Sequence, residues 1–332
     1  MFLVEKAISS SHFKSKQPLP KISNSKPYEF IANSFHQNLL NHLKTLNLTA
    51  SDPPEISLSW LSTAVSVLTS IHSESEHHIS DLKLSDHSYQ VLYMDYSLKV
   101  LDLCNLISFA VKNLTEKRLL INYSLRLLNF AGDLPPVEKL NKAKEKITRS
   151  VEKPEESVVE AEKGARAAAL IDELTVMIGK LVRPRGKILA TETDFIRRMF
   201  YTVAVITVFI SRLLVTVLFG GGRDSNEFIR VSDDFDWAES VNAMQTRMFE
   251  VIKRNVNKAL EVDNVEMKAV TVRDLINDIV SDDGADKAAL DDGVKELASA
   301  GKTFSDGVDA LTNGVNGLFS AVLKTRNGRL DI

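Results

Sequence analysis

Apolar residues recur at spacings of three and four along most of this chain, and between Pro54 and Gly132 no sustained alternation of apolar and polar positions with turn dipeptides interrupts them. Such spacing puts i, i+3, i+4 and i+7 on one face of an α-helix. From Tyr28, the positions Phe30, Ile31, Phe35, Leu39, Leu43 and Leu46 predict a first helix ending before Asp52-Pro53-Pro54. A second stripe runs through Leu58, Leu61, Val65, Leu68, Ile71, Ile79 and Leu82, with Ser57 placed to cap it and Trp60 as a core anchor. A third starts near Asp86 with Tyr89, Leu92, Tyr93, Tyr96, Val100, Leu103, Cys104, Ile107 and Val111; Leu119, Ile121, Leu125 and Leu128 carry it toward Pro135-Pro136. Residues 28–131 thus read as an antiparallel helical bundle.

The pattern then changes. Residues 139–166 are rich in Lys, Glu and Ala, poor in large apolar residues and broken by Pro154, which predicts a solvated helix or hinge. Leu170, Leu174, Met177 and Leu181 form a short stripe that stops at Arg183-Pro184-Arg185-Gly186. After the acidic run Asp233 to Asp236, a helix from Trp237 carries Val241, Met244, Met248, Ile252, Val256 and Leu260, and another spans about Met267 to Val280. The last helix is the most regular. Leu290, Val294, Leu297, Gly301, Phe304, Val308, Leu311, Val315, Leu318 and Val322 alternate steps of four and three, an a/d seam with one glycine hole. Leu290, Val294, Leu297, Phe304, Val308, Leu311, Val315 and Leu318 are the predicted interaction seam. An ordinary bundle helix is preferred to a dimeric coiled coil, because Gly293, Gly301, Gly307, Gly314 and Gly317 lower helicity. The expected fold class is all-α, an elongated antiparallel bundle with a long heptad-patterned C-terminal helix. Its parts are a flexible or targeting tail (1–27), an N-terminal bundle (28–182, hinge near 139–166), an apolar helix (199–219) and a C-terminal helical region (223–332).

Met199 to Phe219 is long enough to cross a bilayer, with thirteen Leu, Ile, Val or Phe residues and one charge, Arg212. On the insertion scale those residues contribute about −4 to −8 kcal/mol against about 2.5 to 3.5 for the arginine. The phase points the other way: Val203, Ile206, Ile210, Leu213 and Val217 share a face, while Tyr201, Thr202, Ser211, Arg212 and Thr216 gather opposite, as in a buried bundle helix. The residues alone leave both readings open. For a span, Lys180, Arg183, Arg185, Lys187, Arg197 and Arg198 outweigh Arg223 and Arg230 and put the N-terminal bundle in the cytosol. The C-terminal seam would then have to be covered by the helices near Trp237 and Met267 alone.

Composition narrows the function classes. With 44% hydrophobic and 26% charged residues the chain can bury a core, and a formal charge of −3 supplies no global field for nucleic acid. Cys104 is the only cysteine, which excludes an intrachain disulfide framework and multi-thiolate zinc sites and fits a reducing compartment. Its apolar neighbours predict a buried thiol. Ala300-Gly301-Lys302-Thr303 lacks the earlier glycine of a phosphate loop, since Glu296 stands there, and lies inside the heptads. His72, Glu76, His77 and His78 read as wet-face residues, and Asp282, Asp283, Asp286, Asp291 and Asp292 as solvated helix starts without EF-hand spacing. No catalytic residue, cofactor or metal is expected.

Ser59-Trp60, the run Met94-Asp95-Tyr96-Ser97-Leu98-Lys99-Val100-Leu101-Asp102-Leu103-Cys104-Asn105, and Asp236-Trp237-Ala238-Glu239-Ser240 with Met244-Gln245 resemble the plant BYPASS family in order and spacing over about residues 28–326. The resemblance implies an all-helical plant protein without known catalysis that restrains a root-derived mobile signal in development. It also implies membrane association, with endomembrane favoured over plastid or soluble cytoplasm, and protein partners among secretory or exocyst components. It tilts the reading of residues 199–219 toward a span. The competing functional class is an enzyme or carrier for a hydrophobic metabolite held in a bundle cavity.

Overall fold

Helix formation follows the apolar spacing throughout the computed structural model, which describes residues 26–46, 56–80, 87–129, 134–152, 157–181, 191–220, 229–253, 259–281 and 287–330. Among these there are nine helices and no strand: α1 (Lys26–Thr45), α2 (Leu58–Ser80), α3 (His87–Leu128), α4 (Val137–Val151), α5 (Ser157–Lys180), α6 (Glu192–Phe219), α7 (Ala238–Lys253), α8 (Leu260–Val280) and α9 (Lys287–Leu330). The all-α expectation holds. The expected tail falls almost wholly outside the described residues, as do Leu82, Pro154, the Arg183 to Gly186 stop, Val256, Asp282, Asp283 and Asp286.

In α1, Phe35, Leu39 and Leu43 are buried, whereas Phe30 points to the opposite face and is exposed. The start of α2 is held from three sides. Ser57 Oγ accepts the Trp60 N–H at 2.9 Å, as its capping position predicts; the Trp60 indole donates to the Leu46 carbonyl at 3.1 Å; and the Glu261 carboxylate of α8 accepts the Leu58 N–H at 2.7 Å. Glu261 thus neutralises an orphan donor at a helix N-terminus from 203 residues away. The stretch read as a solvated hinge forms α4 and most of the first half of α5, and α4 buries Leu140, Ala143 and Ile147. Of the helix expected from Trp237 to Leu260, α7 accounts for Ala238–Lys253, Val256 lies outside the described residues, and Leu260 begins α8.

α6 is the one described helix long and apolar enough to cross a membrane, and 83% of its most apolar window is buried inside the protein. Thr191 caps it by accepting the Asp194 N–H at 3.1 Å, and Gly220 ends it in the left-handed region at φ 64°. Helices α1, α2, α3 and α5 pack around it. Val203, Ile206, Ile210, Leu213 and Val217 are buried, and so is the opposite side: Thr202, Thr207 and Ser211 are covered too. Arg212, on the side opposite that apolar face, is 7% exposed and reaches Asp172 of α5 at 3.4 Å.

α9 packs most extensively against α2 and α3, and then against α8. Glycines set the close approaches. A methyl group on Gly307 would lie 2.9 Å from Leu58 Cβ, and one on Gly293 3.1 Å from Leu275 Cδ1. Arg118 pairs with Asp309, and Arg326 donates to the Met94 carbonyl and, at 2.9 Å, to Ser97 Oγ. A span at α6 requires α9 to be covered by α7 and α8 alone. The fold has α2, α3 and α8 in that role, so the two halves form one packed unit.

Candidate functional site

Five helices converge where α6 ends. Around Val217, Leu218, Phe219 and Gly220 lie Ala110 to Leu120 of α3, Arg149 to Glu152 at the end of α4, Glu160 of α5 and Val262 and Glu266 at the start of α8, enclosing a half-open cavity of about 730 Å³. That is the size of a small-ligand site. Its apolar wall comes from Leu114, Leu120, Val217, Leu218, Phe219 and Val262. Gly164 of α5 lets Phe219 come close, since a Cβ there would sit 3.1 Å from Phe219 Cβ. Across the cavity the Lys117 ammonium pairs with the Glu266 carboxylate, tying α3 to α8, and Arg149 stands at the rim. The arrangement can hold an apolar body with a polar end. Apart from Val217, singled out as a position of the apolar helix, none of these residues was marked as a site from the sequence, because five separate helices supply them.

The polar groups that were singled out lie elsewhere. His72 is not on a wet face: it is 5% exposed, between α2 and α6, with Nε2 3.0 Å from Thr207 Oγ1. Tyr96 of α3 donates to the same oxygen at 2.8 Å, and Thr207 donates its single proton to the Val203 carbonyl. The hydroxyl can therefore only accept from the imidazole, which makes His72 the Nε2–H tautomer. Burial, with no charged partner, lowers its pKa from 6.5 to about 4. His77 is exposed, His78 stands 4.0 Å from Glu74, and no described group of three His, Cys, Asp or Glu residues could hold a metal ion.

His36 is buried with neither ring nitrogen hydrogen-bonded among the described residues. Its pKa is lowered to about 4 by burial and then by Arg198, with Asp236 opposing. Cys104 is buried as expected, and burial pushes its thiol up to about 12. Asp291 and Asp292 pair with Lys295 on the surface at 2.6 and 3.4 Å. Ala300 to Thr303 are interior residues of α9.

The seam of α9 is enclosed by the chain itself. Leu290, Leu297, Phe304, Val308, Leu311, Val315 and Leu318 are buried, and Val294 is partly buried against the core. A partner could reach these positions only by displacing α2, α3 or α8.

The fold defines a class before any name: an all-helical protein whose polar contacts knit helices together around an amphipathic cavity. A family model described as Protein ROH1-like matches residues 163–332, more than half of the chain, and the chain belongs to the ROH1-like family. It is 26% identical over 309 residues to Protein BPS1, chloroplastic, of Arabidopsis thaliana, covering 91% of this chain and 83% of that protein, which bears out the BYPASS resemblance. It is 27% identical over 209 residues to UPF0496 protein 4 of Oryza sativa subsp. japonica, 61% of this chain and 43% of that one. The match therefore spans less than half the length of the rice relative. No solved structure matches the chain.

The words that carried the resemblance fall at packing joints. Ser59-Trp60 stands at the clamped start of α2, Tyr96-Ser97 meets Thr207 and Arg326, and Trp237 is fully buried beside Phe235.

Proposed function

We propose that this chain is a non-enzymatic, BYPASS-type regulator of plant development, a helical scaffold that restrains production of a root-derived mobile signal. The likeness to Protein BPS1 over 91% of the chain carries the reading, together with membership of the ROH1-like family. Its partners are proteins, with secretory or exocyst components as the class to test, and they meet exposed helix faces rather than the enclosed α9 seam. Residues 199–219 act as the core helix of this scaffold, a role supported by their burial on every side. Association with endomembranes then takes place through the surface, and a plastid location is the alternative that the name of the Arabidopsis relative favours. Proximity labelling with the full chain in root tissue tests this. Enrichment of secretory components over a diffusible control supports the scaffold, and labelling indistinguishable from that control contradicts it.

The cavity favours a second reading, a carrier or enzyme for a hydrophobic metabolite. Thermal stabilisation by a plant small-molecule extract, abolished by filling the cavity with Val262→Trp in a protein that still folds, distinguishes this class. Turnover of the bound compound separates an enzyme from a carrier.

A further inference from the structure

α4 carries two parallel lines of residues. Leu140, Ala143, Ile147 and Ser150 face the core. Lys139, Lys142, Lys146 and Arg149 repeat the same steps of three, four and three, so they form one cationic line about 15 Å long on a neighbouring face. Lys139, Lys142 and Arg149 are exposed. Within the line only Lys146 has an ion pair among the described residues, with Glu145 at 2.7 Å. Four cations in a row on one helix repel each other, in a chain whose formal charge is −3.

The outer line of α3 lies alongside. Ser124 Oγ bonds the Ala143 carbonyl at 3.3 Å, while Asn113 to Leu120 share the cavity with Arg149 to Glu152, so the two helices run in opposite directions. Leu119 and Arg149 stand at that one cavity, which brings the two lines together. On α3 the line continues through Leu119, 60% exposed, Tyr123, 40% exposed, and the exposed Arg126. The acids nearby are Glu138, Glu145, Glu116, which stands 3.6 Å from Lys112, and Glu152 and Glu160, which line the cavity with Arg149. A row of long basic side chains beside an exposed leucine and tyrosine matches anionic headgroups over an apolar layer. A nucleic acid is a poorer fit, since a single tyrosine is not a stacking platform.

We propose that the outer face of α3 and α4 docks on an anionic lipid bilayer. Lys139, Lys142, Lys146, Arg149 and Arg126 meet the headgroups, and Leu119 and Tyr123 enter the interfacial layer. This surface does not involve α6, and its test is independent of the regulatory role.

Flotation of the detergent-free full chain with phosphatidylcholine vesicles, with and without phosphatidylserine, tests the docking. The wild type floats only with phosphatidylserine and is released by salt. Lys142→Ala with Arg149→Ala lowers the partition coefficient on the order of thirtyfold, at about fivefold per cation. Lys142→Arg keeps binding, and so does Lys302→Ala with Lys324→Ala on the exposed side of α9. All these positions are exposed, and alanine favours the helix, so circular dichroism stays unchanged. Three results overturn the proposal: no flotation, equal flotation with neutral vesicles, or indifference to the α4 substitutions. The second of these would point to insertion of an apolar segment.

Discussion

Two glycines of α9 predict opposite outcomes for the same substitution. Gly317 is exposed, and a Cβ there meets nothing within 4 Å, so Gly317→Ala collects only the gain in helix propensity, about 1 kcal/mol. Gly307 gains the same propensity but is pressed against α2. A Cβ there would stand 2.9 Å from Leu58 Cβ and 3.2 Å from Cδ1. Rotating the leucine relieves the second contact and leaves the first, because Cβ moves only with the backbone. That backbone is pinned by the Leu58 N–H bond to Glu261, with the Leu260 N–H bonded to the Ile56 carbonyl at 3.0 Å beside it. Overpacking a fixed contact costs about 1–3 kcal/mol, so Gly307→Ala is neutral to destabilising, and the two variants differ by about 1–3 kcal/mol. Urea unfolding of both variants measures this difference. Leu58→Gly, costly alone, removes that Cβ and should recover part of the Gly307→Ala penalty in a double-mutant cycle. Equal stabilisation by Gly307→Ala and Gly317→Ala would refute the close packing of α9 on α2.

Glu261→Ala should destabilise the protein by about 2 kcal/mol, because it leaves the buried Leu58 N–H, and the part-buried Ser59 N–H that Glu261 accepts at 3.4 Å, without their acceptor; hydrogen exchange should quicken first at Leu58 and Ser59, and unchanged exchange there contradicts the clamp. His72 and His36 predict an acid-labile fold. Both stay neutral in the folded protein down to about 4, whereas the unfolded chain takes up each proton from about 6.5. Stability is therefore complete above that window and falls as pH drops through it, by about 1.4 kcal/mol per pH unit for each histidine. Urea titrations at stepped pH read the slope; His72→Gln should remove one proton from it, and a slope identical in the variant contradicts the buried neutral imidazole.

Periodicity located the helices and most of their inward positions because a helix face can be read from spacing alone. It could not say which helix covers which face. His72 adjoins Ile71 and was read as solvent-facing; it is buried because Thr207, 135 residues away, supplies a polar partner. Leu119 fitted a stripe yet is 60% exposed, since no described helix lies over it. Residues 199–219 satisfy a bilayer and a protein core equally in composition, and only the packing of α1, α2, α3 and α5 around them separates the two. The α9 seam was visible, but its cover on α2 and α3 was not, and Glu261 gave no signal because its partner lies in another helix. The cavity has the same origin: its lining residues are unremarkable until five helices bring them together.

The central claim is that helices before and after α6 pack into one unit on one side of any membrane. Zero-length carbodiimide coupling of the full chain, followed by mass spectrometry of the peptides, tests it most directly. Lys117 precedes α6 and Glu266 follows it, and their side chains form an ion pair. Lys99 with Glu173, both before α6, and Lys268 with Glu296, both after it, are pairs that form in either topology. The account predicts all three cross-links, including an amide joining Lys117 to Glu266. Recovery of the Lys99–Glu173 and Lys268–Glu296 links without Lys117–Glu266 would contradict it and return residues 199–219 to the membrane.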